Sequence, residues 1–220
     1  MRLRTGWLVG SAVVAFAVYL LMWLGYVQGW PWLVGIDTAA LDAAYRFGAD
    51  RPGWVTGWDV FCTVLGPGAF RLAVLVVIVI ALSRRRFRLA VFLLLTVELS
   101  GPLTEAAKHI ADRPRPDTAM VSALSSAFPS GHALGVMVSV AALLTVALPV
   151  VRPRWRTALI ALGVLLILTI GAGRVVLNVH HPSDVVAGWA LGYAYFVGCL
   201  LLVKPVRAAA GTPEELDTAR

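Results

Sequence analysis

Three separate segments of the chain contain the residues whose types and spacing could do chemistry. Their charged, hydroxyl and imidazole side chains belong to Lys108, Arg115, Ser130, His132, Arg174, His180 and Asp184. Three cations near two imidazoles suit an anion with several oxygen atoms, because guanidinium groups bind phosphate in a bidentate way and lysine adds a point charge. Ser130 and Gly131 stand where a helix begins, and the free N–H groups of a helix N-terminus also bind phosphate. These residues therefore predict a phosphate-binding site.

The spacing within the last segment predicts a nucleophile. Asp184 follows His180 by four residues, with Pro182 suited to the first helical turn between them. The carboxylate can reach one imidazole nitrogen of His180, which would hold its tautomer and leave the other nitrogen free to attack. His132 lies on a different helix and could protonate a leaving oxygen. The combination predicts phosphoryl transfer through a covalent intermediate.

The same segments have a recognisable order. They read K-x6-R-P from Lys108, P-S-G-H from Pro129 and R-x5-H-x3-D from Arg174. In order, spacing and six-helix layout, they resemble the three-part signature of the type 2 phosphatidic acid phosphatase and vanadium haloperoxidase superfamily. The resemblance extends over most of the chain from about residue 58. One departure is Gly173, where the family usually has a serine before the arginine.

The resemblance implies a role for each matching residue. His180 would form a phosphohistidine, Asp184 would orient it, and His132 would protonate the leaving group. The phosphate would be held by Lys108, Arg115, Ser130, Gly131 and Arg174. The family works without a metal, so we expect a metal-independent phosphatase with no cofactor.

The composition indicates which elements must position these residues. Of 220 residues, 59% are hydrophobic and 14% are charged, and the mean hydropathy is +0.80. Soluble domains average about 45–50% apolar and about 25% charged residues, so soluble, disordered and fibrous classes are excluded. Two cysteines exclude a disulfide scaffold. The sequence predicts an all-α, polytopic membrane bundle.

Apolar runs of about 20 residues predict six transmembrane helices. They lie at 6–27, 58–83, 89–107, 132–151, 157–172 and 184–203, and the second is broken at Gly66-Pro67-Gly68. The region 1–57 supplies the first span and an outer loop, in which Asp37 is predicted to cap a short surface helix that stops at Gly48. Residues 58–204 would form a five-helix core and 205–220 a tail, within a single domain of residues 1–220.

Basic residues set the predicted orientation. The N-terminus, the turns at 84–88 and 152–156 and the C-terminal tail contain most of the Lys and Arg, and all fall on one side of a six-span topology. The positive-inside rule places that side, with both termini, in the cytoplasm. The site then faces the extracytoplasmic side of the cell membrane. The net charge of +7 is thus mainly a topological marker, and a nucleic-acid partner is not expected.

The expected activity is hydrolysis of a lipid phosphomonoester or diphosphate, with membrane lipids as the other partners. Undecaprenyl diphosphate ranks first as substrate, and phosphatidylglycerol phosphate or phosphatidate are alternatives. Two other classes stay open: a membrane transporter or channel, and a vanadate-dependent haloperoxidase, against which the apolar spans argue. The oligomeric state is not indicated.

Several polar residues are left without a role in the predicted site. Arg113 is interpreted as a plain loop residue, and His109 and His181 receive no function. Isolated charges within apolar spans are costly and usually pair with one another or face a cavity. We therefore expect Arg71 to pair with Glu98 or Glu105 behind the site.

Overall fold

The regular secondary structure of the described residues is entirely helical, as the sequence predicts. The computed structural model describes residues 2–123, 125–203 and 205, and for residues 2–4 it describes the backbone alone. The helices in chain order are α1 (Arg2–Val27), α2 (Pro31–Gly48), α3 (Pro52–Val64), α4 (Pro67–Ser83), α5 (Phe87–Leu93), α6 (Ser100–Ala111), α7 (Gly131–Ala147), α8 (Pro153–Val176) and α9 (Pro182–Leu202). A π-helical turn, Leu94–Glu98, joins α5 to α6. Apart from Pro205, the predicted tail lies outside the described residues.

Five helical segments of the described residues are long and apolar enough to cross a membrane, and two of them join consecutive helices. They are Thr5–Val27, Pro52–Ser83, Phe87–Ala111, Pro153–Val176 and Pro182–Leu202. The remaining predicted span corresponds to α7, which is apolar but has 17 residues. At 1.5 Å per residue α7 is about 25 Å long, somewhat less than a hydrocarbon core of about 30 Å. The protein is thus a multi-pass membrane protein, with five candidate spans among the described residues.

Prolines begin many of these helices, because proline at the first helical position lacks only an N–H that would be unpaired anyway. It does so at α2, α3, α4, α8 and α9. The predicted break at Gly66-Pro67 is confirmed: α3 ends at Val64, and α4 begins at Pro67. The predicted stop of α2 at Gly48 is also confirmed.

Two predictions about helix boundaries are wrong. Asp37 does not cap a helix, because α2 already begins at Pro31 and Asp37 lies inside it, only 2% exposed. The buried residues Leu33, Asp37 and Leu41 recur every four positions and form the inner face of α2. Arg174 was expected in the connection after the fifth span, but α8 continues to Val176 and places Arg174 in its last turn.

Small residues bring α7 and α9 into close contact. Gly188 and Gly192 of α9 form a G-x-x-x-G pair, which lets membrane helices approach each other closely. A Cβ at Gly188 would lie 2.6 Å from the carbonyl oxygen of Ser130, and one at Gly192 would lie 3.0 Å from that of Leu134. The start of α7 is therefore held directly against the first turns of α9, which is where two of the three motifs meet.

The apolar side chains fall into an inner and an outer set. Phe92, Leu134 and Val197 belong to a core between α1, α4, α5, α7 and α9. Large side chains on α1, α4 and α8 face outward, among them Val13, Leu72 and Leu165, which are 63%, 66% and 56% exposed. Long outward apolar faces of this kind are what a lipid-facing surface requires.

Candidate active site

The three motifs meet at one cavity of about 710 Å³. Its walls include six of the eight predicted site residues: Lys108, Arg115, Gly131, His132, Arg174 and His180. The other two, Ser130 and Asp184, are fully buried behind the wall. Helices α6, α7, α8 and α9 and the segment 112–130 therefore bring together residues that are up to 76 positions apart in the chain.

His180 has different partners at its two ring nitrogens. Its Nε2 atom is 3.2 Å from Nη1 of Arg115, and its Nδ1 atom is 3.6 Å from Oδ2 of Asp184, slightly longer than a hydrogen bond. A guanidinium can only donate, so Nε2 must be the accepting nitrogen, and the proton of a neutral imidazole then lies on Nδ1, facing the carboxylate. The arrangement leaves a lone pair on Nε2 at the cavity wall.

Burial determines the charge state of His180, whose side chain is only 2% exposed. Burial is the main cause that lowers the pKa of His180. Asp184 opposes this shift and the cations Arg115 and Arg174 add to it, which together leave the pKa at about 4. Burial and the nearby Arg174 also lower the pKa of Arg115 below its ordinary value. His180 is therefore neutral, and so able to act as a nucleophile, at neutral pH.

Asp184 binds more groups than the sequence predicts. Its Oδ2 atom accepts a hydrogen bond of 2.8 Å from the backbone N–H of His181. The same oxygen lies 3.1 Å from Nδ1 of the His181 ring. Its Oδ1 atom forms an ion pair with Nη1 of Arg113 at 2.7 Å. His181, which was given no role, therefore helps to hold Asp184, and does so as the N-cap of α9.

Arg113 is not a plain loop residue, which corrects the prediction made from the sequence. Its side chain is 8% exposed and bridges two carboxylates, with Nη2 2.9 Å from Asp37 and Nη1 2.7 Å from Asp184. Asp37 also accepts hydrogen bonds from the N–H and hydroxyl groups of Ser183. The sequence signal that could have indicated this pairing is Asp37, a carboxylate on the otherwise apolar face of α2. Buried charges are almost always paired.

The segment between α6 and α7 fixes two of the cations. Lys108 donates from Nζ to the hydroxyl of Ser125 at 2.9 Å and to the carbonyl of Ser126 at 2.5 Å. Arg115 donates to the carbonyls of Ser125 and Val179, each at 2.7 Å. Sequence reasoning did not single out these serines, because three of the four contacts are to carbonyl oxygens, which leave no trace in residue type.

The start of α7 faces the cavity as predicted. Ser130 is the N-cap, its hydroxyl accepts a long 3.5 Å hydrogen bond from the N–H of Ala133, and its own N–H donates to the carbonyl of Asp184. A Cβ on Gly131 would approach Thr104 to 3.3 Å, so glycine keeps this turn close to α6. His132 packs against the break between α3 and α4, where a Cβ at Gly66 would lie 3.3 Å from its Nε2 atom.

Arg174 is 5% exposed, and its Nε atom has no hydrogen-bond partner among the described residues. Gly173, the departure from the family pattern, lies against the adjoining helix. A Cβ there would be 2.6 Å from Sγ of Cys62 and 2.8 Å from Cε3 of Trp58. The space that a serine side chain would need is thus filled by α3.

The expected pairing of Arg71 with a glutamate is wrong for the described part of the chain. No ion pair there includes Arg71, Glu98 or Glu105, and buried atoms of Arg71 and Glu98 lack hydrogen-bond partners. Instead, Arg71 and Glu105 both line the cavity.

Comparisons with known proteins identify the family. The model of the PAP2 superfamily matches residues 87–207, more than half of the chain. Phosphatidylglycerophosphatase B of Bacillus subtilis (strain 168) is 31% identical over 151 residues, covering 66% of this chain and 74% of that protein. Lipid A 1-phosphatase of Rhizobium johnstonii is 35% identical over 131 residues, and the match spans about half of each protein.

One solved structure shares the fold. It is the crystal structure described as that of the first transmembrane PAP2-type phosphatidylglycerolphosphate phosphatase from Bacillus subtilis. It superimposes with a TM-score of 0.70 and 22% identity, over 91% of this chain and 99% of that chain.

Fold and sequence together define a class, multi-pass membrane hydrolases that act on phosphate esters. The chain belongs to the PAP2 superfamily, and it is a membrane phosphatase of the same kind as the lipid phosphatases that it resembles.

Proposed function

We propose that the protein hydrolyses a lipid phosphomonoester or diphosphate at the outer membrane face, through a phosphohistidine on His180 and without a metal ion. The observation that most supports this is the position of the His180 imidazole, whose accepting Nε2 atom lies at the wall of a cavity with three cations. Nucleophile, orienting carboxylate and anion-binding groups are the parts that phosphoryl transfer needs.

In the first step, the phosphate replaces Nε2 of His180 as an acceptor for Arg115 and is also held by Lys108 and Arg174. The lone pair of Nε2 attacks phosphorus, and the bond between phosphorus and the leaving oxygen breaks. His132 gives its proton to that oxygen, so it must enter this step protonated. Asp184 stabilises the positive charge that develops on the His180 ring.

In the second step, water attacks the phosphohistidine. His132, now neutral, takes a proton from the water, and the bond between Nε2 and phosphorus breaks to release inorganic phosphate. The three cations and the N–H groups at the start of α7 offset the negative charge in both steps. This charge comes from the chain's own residues, which is the reason for proposing a metal-independent reaction.

For the substrate we propose undecaprenyl diphosphate first, with phosphatidylglycerol phosphate as the alternative that the Bacillus subtilis relative's name favours. Six spans, with α7 as the short sixth, and cytoplasmic termini would place the cavity at the outer face, where a carrier lipid used in wall assembly is recycled. Lipid tails would lie between the helices and the bilayer.

A substrate panel tests this function. The detergent-purified protein, with a chelator present, should release phosphate from one of three lipids: undecaprenyl diphosphate, phosphatidylglycerol phosphate or phosphatidate. His180→Ala should lose the activity by a factor of at least about 1,000, since removal of a nucleophile leaves only binding effects. His109→Ala is the matched control, because His109 is an exposed histidine outside the cavity. An active His180→Ala enzyme would contradict the mechanism.

A further inference from the structure

Arg71 is a cation of the cavity that the three motifs do not include. It lies one turn into α4, which begins at Pro67, and both residues line the cavity. Its Nε atom is buried without a hydrogen-bond partner, and none of the ion pairs within the described residues includes it. An unpaired charge within a candidate membrane span is costly unless a ligand or water-filled cavity accommodates it.

Gly101 of α6 leaves room for this guanidinium, because glycine has no Cβ. A Cβ on Gly101 would lie 2.9 Å from Nη2 of Arg71 and 3.2 Å from its Cζ and Nη1 atoms. Any other residue at position 101 would push the guanidinium away. Gly101 therefore sets the place of the Arg71 head group within the cavity wall.

Arg71 and the proposed acid, His132, lie at the same end of α4. Gly101, Thr104 and Lys108 occupy one face of α6 and all line the cavity, and seven residues of helix separate Gly101 from Lys108 by about 10 Å. His132, the proposed acid, packs against Gly66, directly before α4. A leaving group that receives a proton from His132 would therefore lie near the start of α4, where Arg71 is placed.

We propose that Arg71 binds a second phosphate, one that stays on the lipid after the reaction, so that the site selects lipids with two phosphates over lipids with one. This inference rests on the proposed phosphatase function. In a diphosphate, the oxygen between the two phosphorus atoms leaves with the lipid, and negative charge builds up on the departing phosphate. A guanidinium beside it stabilises this charge, whereas the neutral leaving group of phosphatidate offers it nothing to bind.

Two kinds of lipid keep a negatively charged phosphate group that Arg71 could bind. A prenyl diphosphate develops the charge during the reaction, whereas the leaving group of a phosphatidylglycerol phosphate keeps a phosphodiester that is charged throughout. The experiment measures kcat/KM for both and for phosphatidate, in the wild type and in Arg71→Met. The ratio of a two-phosphate substrate to phosphatidate should fall by about 10- to 100-fold, as expected for the loss of a hydrogen bond to a charged group. A fall with one of the two lipids alone identifies the natural source and supports the proposal.

Three further variants make the result interpretable. Arg71→Lys should recover much of the ratio because it keeps the charge. Gly101→Ala should lower the ratio by displacing the guanidinium without removing it, and it decides the case if Arg71→Met does not fold. Arg84→Met, on the exposed far end of the same helix, should leave the ratio unchanged.

Equal losses on all three lipids in both Arg71→Met and Gly101→Ala, or no loss in either, would overturn the inference and leave the phosphatase function intact. A wild type that hydrolyses none of the lipids would instead overturn the proposed function, and the inference with it.

Discussion

His180 shows how neighbours change the chemistry of a single residue. An ordinary histidine titrates near 6.5, whereas a buried one between cations resists protonation. Arg115 at Nε2 and Asp184 at Nδ1 also select one tautomer of the neutral ring. Reactivity at this position therefore depends on partners that come from two other parts of the chain.

This environment predicts a neutral His180 in mildly acidic solution. Because burial lowers its pKa to about 4, the ring should be neutral and protonated on Nδ1 at about pH 5.5, where a free histidine with a pKa of about 6.5 is mostly charged. The measurement is ¹⁵N NMR of histidine-labelled protein in micelles, with His180 assigned by its loss in His180→Gln.

The lowered pKa of His180 also predicts how the stability of the folded protein depends on pH. A histidine with a lowered pKa in the folded state binds its proton more readily when unfolded, so stability should fall as pH drops from about 6.5 towards 4. A half-protonated His180 ring near pH 6.5 would contradict the assignment.

At the scale of elements, α2 supports the site from outside the motifs. Asp37 on its inner face holds Arg113, which holds Asp184, and Asp37 also fixes Ser183 beside it. The residues of α2 lie outside the range matched by the family model. Because Asp37 does not line the cavity, its influence must pass through other residues.

Asp37→Asn tests this support. Removing the charge leaves Arg113 with one carboxylate, so Asp184 should be held less firmly and kcat should fall by about 10-fold, consistent with the loss of about 1.4 kcal/mol of positioning. KM should change little, since no cavity residue is altered. Kinetics of the purified variant measure both constants. Asp42→Asn, an exposed carboxylate on the same helix, is the control, and a rise in KM alone would contradict a positioning role.

At the scale of the whole molecule, the proposed topology separates the basic turns from the cavity. The turn that contains Arg84, Arg85 and Arg86 lies at the end of α4. The cavity lies at the beginning of that helix, where Pro67 lines it, 17 helical residues or about 25 Å away. The two regions should therefore lie on opposite sides of the membrane.

Cysteine labelling checks this topology. In a background where Cys62 and Cys199, both buried, are replaced by alanine, an impermeant maleimide applied to intact cells should label Asp117→Cys and not Arg86→Cys. Both positions are exposed, and they lie on opposite predicted sides. Permeabilised cells, in which both sites should react, are the control. The reverse pattern would place the site in the cytoplasm.

The sequence alone determined the class of fold, the superfamily and which motif residues gather at the cavity. Apolar runs, helix-breaking pairs such as Gly66-Pro67 and ordered motifs are local signals. They can be recognised in the sequence without knowledge of the fold. The sequence predicted the fourth span at 132–151, whereas α7 runs from Gly131 to Ala147. Its start depends on tertiary packing, since Gly188 of α9 lies against Ser130.

Only the tertiary structure decided the partners of the charges. The sequence predicted that Arg113 is a loop residue, that His181 has no function and that Arg71 pairs with a glutamate. The structure instead places Arg113 between two carboxylates, His181 at the N-cap of α9 and Arg71 in the cavity wall. Ion pairs and hydrogen bonds act over a few ångströms between residues that are distant in the chain, such as Asp37 and Asp184 on either side of Arg113. Their geometry exists only after the helices have packed, because burial removes the water that would otherwise satisfy each charge alone.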